Sequence, residues 1–159
     1  MNKKLAIEGI TALLILLFLY TALSKLLNLH AFRGQLMLQP FPAGWDTLLL
    51  WALPLTELLV CVLLFFQRTR LQGLYLATLL MLVFTLYVAL VLTRAFGYIP
   101  CSCGGVLERM DWETHLVFNI VFLALAITAT ILHKRSERQE PAVRAAAGLS
   151  NGKEGSGKE

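Results

Sequence analysis

Four long, predominantly apolar runs dominate this chain, at 5–27, 45–66, 71–93 and 112–132. A bilayer core about 30 Å thick is crossed by roughly 20 apolar residues in a helix, and each run has about that length. The runs are rich in Leu, Val, Ile and Phe and lack the alternation of a barrel strand. Lipid offers no partner to a free N–H or C=O, so each segment must satisfy its own backbone, and helices do so. The composition agrees, with 57% hydrophobic and only 15% charged residues. The expected fold is all-α, a polytopic membrane four-helix bundle occupying 1–133, with the lipid bilayer as its first partner.

The formal charge of +4 does not point to nucleic acid, because the basic residues sit just outside the apolar runs. Lys3 and Lys4 precede the first run, Arg68 and Arg70 fill the second connection, and Lys134, Arg135 and Arg138 follow the fourth. The other two connections offset Arg33 with Asp46, and Arg94 and Arg109 with Glu108, Asp111 and Glu113. By the positive-inside rule both termini are cytoplasmic and the connection 94–111 lies outside. The N-terminus also admits a signal-peptide reading, with Lys3 and Lys4 before an apolar stretch that ends at Ala22-Leu23-Ser24. Glu8 and the even number of spans favour a retained helix.

Between the runs, 28–44 reads as a short ordered outer loop, since Pro40, Pro42 and Gly44 oppose regular helix and Phe41 and Trp45 suit the membrane interface. Gln67-Arg68-Thr69-Arg70 is a tight connection that makes the second and third helices antiparallel neighbours. Asp111 is the expected N-cap of the fourth helix, on which His115 and Asn119 share a face at i, i+4. The segment 134–159 is poor in large apolar residues and reads as a disordered cytoplasmic tail.

Chemistry concentrates in Cys101-Ser102-Cys103-Gly104-Gly105. Two thiols separated by one residue close only a small, strained disulfide ring, and strained exposed disulfides are the exchangeable ones. An oxidising compartment permits such a bond, and Gly104 and Gly105 allow a partner's backbone to approach the sulfurs. The functional reading is a redox pair, with Cys101 and Cys103 as attacking and resolving thiols. The plain alternative is a structural clip in a non-catalytic membrane subunit or assembly factor. A third reading is soft-metal capture, Cu(I) or Zn, by the two thiolates with Met110 and His115.

Four further residues qualify that picture. Glu57 lies about 18 Å along its helix from Trp45, near mid-membrane, where an acid is expensive and faces the bundle interior. It serves either as a proton-handling or quinone-site carboxyl, or as a paired acid that fixes packing beside Pro54. His115 either tunes a thiolate or meets a quinone oxygen, or is a structural interfacial histidine. Lys25, with Tyr20, Thr21 and Ser24 at the outer end of the first helix, can snorkel to the interface, and the polar side of that helix is expected to face its neighbours. Cys61, about 24 Å along its helix from the outer end, is too far from the loop cysteines to pair with them.

These residues resemble the MauE/DoxX family of redox-associated membrane proteins, through Tyr20-Thr21-Ala22-Leu23-Ser24-Lys25-Leu26, Pro54-Leu55-Thr56-Glu57, the Cys101–Cys103 motif, Trp112, His115 and Asn119. The resemblance covers about residues 5–132. It implies a four-helix membrane bundle and, for the MauE branch, maturation of a disulfide-bearing periplasmic enzyme, methylamine dehydrogenase. The outline is also similar to vitamin K epoxide reductase and quinone-linked disulfide-forming proteins, which use C-x-x-C where this chain has C-x-C. The expectation is therefore a thiol–disulfide oxidoreductase of the bacterial inner membrane. It exchanges with an exported thioredoxin-like or disulfide-bearing protein, holds no covalent cofactor, and relies on a membrane quinone or another subunit to balance electrons.

Overall fold

The computed structural model describes residues 3–39, 42, 44–93 and 111–154, the side chains of 138 and 140–154 excepted. Five helices appear in order: α1 (Lys3–Leu27), α2 (Leu29–Met37), α3 (Trp45–Phe65), α4 (Arg70–Leu92) and α5 (Trp112–Glu154). No strand occurs among the described residues. Four of the helices, α1, α3, α4 and the first part of α5 (Trp112–Glu137), are long and apolar enough to cross a membrane.

The packing is that of a bundle solvated by lipid. Leu14 and Phe18 of α1, Val60, Cys61 and Leu64 of α3, Leu74, Ala77 and Met81 of α4, and Ala126 and Ala129 of α5 form one buried core. Large apolar side chains also face outward on every span, among them Leu16, Leu55, Leu79 and Val117, which are each more than half exposed. In water such a surface would aggregate; in a bilayer it is the ordinary outer face of a span.

Hydroxyls within the spans turn back on their own helices. Thr11 donates to the Ile7 carbonyl at 2.7 Å, Thr85 to Met81 at 2.6 Å and Thr128 to Ala124 at 2.7 Å. These local bonds satisfy groups that hydrocarbon would leave bare. Thr78 and Thr130 also meet across α4 and α5 at 3.3 Å, one of the polar contacts that join membrane helices.

The connection between α3 and α4 is as tight as its length requires. Thr69 donates to the Leu63 carbonyl at 3.0 Å, and Gly73 brings the α4 backbone against α3. A Cβ at Gly73 would lie 2.8 Å from the Leu64 backbone nitrogen. On the other side of α3, the Cys61 thiol points at the Ile15 carbonyl of α1 at 3.6 Å.

Two segments differ from expectation. The first part of 28–44 is not a loop: α2 is helical because Leu29, Phe32 and Leu36 fall on one face and pack against Leu49, Leu50 and Leu53 of α3. Gly44, with φ 92°, then turns the chain into α3, and the Trp45 N–H donates to the Pro42 carbonyl at 3.2 Å. At the other end, α5 runs on to Glu154 where irregular chain was expected. Its extension is rich in Lys, Arg, Glu, Gln and Ala, all good helix formers, and it grows from a helix that is already nucleated.

The up-and-down order of the four spans places Lys3 and Lys4, Arg68 and Arg70, and Lys134 and Arg135 at one end of the bundle. The other end carries Trp45 and Trp112, which begin α3 and α5.

Candidate functional site: a polar cluster in an apolar cavity

Toward the Trp45/Trp112 end the helices do not close. They leave a cavity of about 570 Å³ bounded by α1, α2, α3, α4 and α5. The cover on one side is α2, which contributes Phe32 and Leu36 and is followed by Gln39 and Pro42. Leu17, Phe18, Leu49, Leu53, Met81, Phe84, Trp112 and Phe118 make most of the remaining wall apolar.

Into this apolar space four helices deliver a small set of polar groups. Glu57 of α3 is 1% exposed and sits three residues past Pro54, a buried proline that removes one backbone donor from the helix. Its Oε1 accepts from Lys25 Nζ of α1 at 2.7 Å. Lys25 also donates to the Thr21 carbonyl at 3.3 Å and lies 5.9 Å from the centre of the Phe32 ring, a cation–π contact with α2. Lys25 therefore does not snorkel to the interface. An acid one helix away and an aromatic face above it hold the ammonium inside the bundle, where an unpaired charge would be costly.

From the opposite wall α5 presents His115 and Asn119, 9% and 3% exposed. One helical turn separates them, so both project to the same side. The Asp111 carbonyl accepts from the His115 N–H at 2.9 Å, which starts the helix where the N-cap was expected, and the imidazole stacks on Trp112 with ring centres 6.3 Å apart. On α4, Tyr87 donates from its hydroxyl to the Gln39 side-chain carbonyl, tying the segment after α2 to the bundle.

Three buried polar atoms of this cluster have no hydrogen-bond partner among the described residues: Glu57 Oε2, His115 Nδ1 and Asn119 Nδ2. All three residues line the cavity. A buried group left unmatched costs on the order of 1–3 kcal/mol, so three around one space indicate a cavity shaped for a polar occupant.

The structure thus brings together two expected residues, Glu57 and His115, and adds Lys25, Asn119, Gln39 and Tyr87 to them. The i, i+4 pairing of His115 with Asn119 was visible in the sequence; the Lys25–Glu57 pair, 32 residues apart, was not. Cys101, Cys103, Gly104 and Gly105 lie outside the described residues, as does Met110. The connection that carries them leaves α4 after Thr93 and enters α5 at Asp111. Tyr87 and Val88 before it, and Trp112 and His115 after it, line the cavity.

Comparison with curated proteins and with solved structures gives no match. The family model described as methylamine utilisation protein MauE matches residues 3–132, a stretch that takes in all of α1 to α4, the Cys101/Cys103 connection and the cavity-lining part of α5. On that match, the chain belongs to the MauE family of membrane proteins.

Proposed function

We propose that this protein is a thiol–disulfide redox protein of the bacterial inner membrane that exchanges disulfides with an exported thioredoxin-like or substrate protein and so supports maturation of periplasmic proteins. The observation that carries the reading is the cavity itself: turns of α4 that precede the cysteine connection in the chain and of α5 that follow it line a space that holds a buried ion pair and unpartnered polar atoms. On this reading one small bundle supplies both the thiol chemistry and a proton-capable membrane site.

In the exchange, a thiolate of the Cys101/Cys103 pair attacks one sulfur of the client's disulfide. A mixed disulfide forms and a client thiolate leaves. The second thiolate of the pair then attacks its neighbour's sulfur in that bond, closing Cys101–Cys103 and releasing the client as a dithiol. Two electrons pass to the client, and the reverse sequence oxidises it. A membrane-borne two-electron carrier resets the pair. With both termini cytoplasmic, the cysteine connection works on the periplasmic side.

The test is thiol trapping with a maleimide in membranes equilibrated against defined dithiol buffers. The expected result is a reversible couple for Cys101/Cys103 between roughly −120 and −270 mV, the range of exchange proteins. A pair locked in one state, or full support of client maturation by a Cys101→Ser/Cys103→Ser variant, would overturn the proposal in favour of a non-catalytic assembly subunit.

A further inference from the structure

We propose that the cavity beneath α2 is a binding site for an uncharged lipophile whose head group bears carbonyl or hydroxyl oxygens, a membrane quinone. This rests on the redox reading and gives the expected membrane carrier a site, while its test reads binding alone.

Lys25 and Glu57 meet at 2.7 Å and cancel each other, so the described residues lining the site offer no spare charge to match a phosphate, a carboxylate or an ammonium. A charged head group would enter apolar walls without a counter-ion. Hydrogen-bonding capacity, by contrast, is present in both senses. Asn119 Nδ2 is a donor without an acceptor, and Glu57 Oε2 is an acceptor without a donor. His115 Nδ1, likewise unpartnered, serves as either according to its tautomer. A ligand that accepts through a carbonyl and donates through a hydroxyl satisfies this set, as the two forms of a quinone do.

Shape agrees with charge. About 570 Å³ accommodates a substituted ring with the first part of an apolar tail. Trp112, Phe84 and Phe118 offer aromatic faces and edges to a flat ring. The polar atoms lie on α3 and α5, on opposite walls, which suits a head group with oxygens on opposite edges better than one with a single hydroxyl.

The experiment is a titration of the purified full chain in detergent with decylubiquinone, following tryptophan emission, since Trp45 and Trp112 line the cavity and a quinone bound there quenches them. Saturable quenching is expected, weakened tenfold or more by Asn119→Leu and by His115→Phe. Because changing one member of the ion pair endangers folding, the third variant is Lys25→Met/Glu57→Met, which removes both charges together. It should also lose tenfold or more in affinity while keeping its helical circular dichroism. Parallel arms add dioctanoylglycerol, a neutral oxygen-bearing lipid, and decanoate as competitors, and neither should displace the quinone.

Linear quenching that ignores all three variants would mean simple partition into detergent and would overturn the assignment. Equal displacement by dioctanoylglycerol would make the cavity a neutral-lipid site, and displacement by decanoate an acid site; each also overturns it. Binding should persist in Cys101→Ser/Cys103→Ser. Quinone binding together with a locked thiol pair removes the exchange reading and leaves this one standing. A reversible thiol couple without saturable binding does the opposite.

Discussion

Lys25 and Glu57 are the most consequential pair of side chains in the bundle, because hydrocarbon makes each depend on the other. Their side chains are 13% and 1% exposed, so removing one partner strands the other in a medium that cannot solvate it. Glu57→Ala or Lys25→Ala alone should therefore lower stability by about 3–5 kcal/mol, whereas Lys25→Met/Glu57→Met should fold at or near the parent's stability. Thermal unfolding in detergent, followed by circular dichroism, reads the difference. Equal losses in the single and double variants would mean that packing, not charge, makes the residues costly to change. At this scale the sequence was half legible. An acid in the middle of an apolar run advertises its inward orientation by its expense alone. A lysine two residues from the end of a run looks the same whether it reaches up to the interface or inward to an acid, and only the tertiary pairing of α1 with α3 decides. Tyr20, grouped with Lys25 in the sequence reading, is 46% exposed, so the polar residues of this stretch divide between two sides of α1.

Among the elements, the four spans were plain in the sequence and α2 was not. The spans are set by a local rule, since every window of the required length must be apolar and self-bonded. The helix α2 has nine residues and contains Gly34, and isolated it would be too short to hold together. Its stability comes from Phe32 and Leu36 seated on Leu50, a contact that the local pattern does not announce. The α3–α4 pair shows the converse, a legible contact with a sharp steric requirement. Gly73→Val should destabilise the bundle by about 1–3 kcal/mol, because its first added carbon already meets the backbone at Leu64 and backbone yields less than a side chain. The same change at Gly9 or Gly34, where nothing lies within 4 Å, should leave the unfolding midpoint largely unaltered apart from helix propensity. Similar losses at all three glycines would refute the close-approach account.

For the molecule as a whole, the gathering of basic residues at one end sets orientation. An alkaline phosphatase fusion after Gly105 should be active and one after Arg68 inactive; the reverse pattern would invert the topology and remove the periplasmic assignment of the cysteine pair. The bundle's outward apolar surface and the family match over residues 3–132 say what kind of molecule this is, and the cavity says where within it to look for a ligand. One further property follows from the way α1 and α3 meet. Of the three cysteines in the chain, Cys61 is buried at that seam with its sulfur turned to the Ile15 carbonyl. A water-soluble thiol reagent should therefore leave Cys61 unlabelled while the bundle is intact, and the arrival of a label there on heating should track the parting of these two helices. The protein carries a chemical clock for its own unfolding, and that clock needs no added probe site.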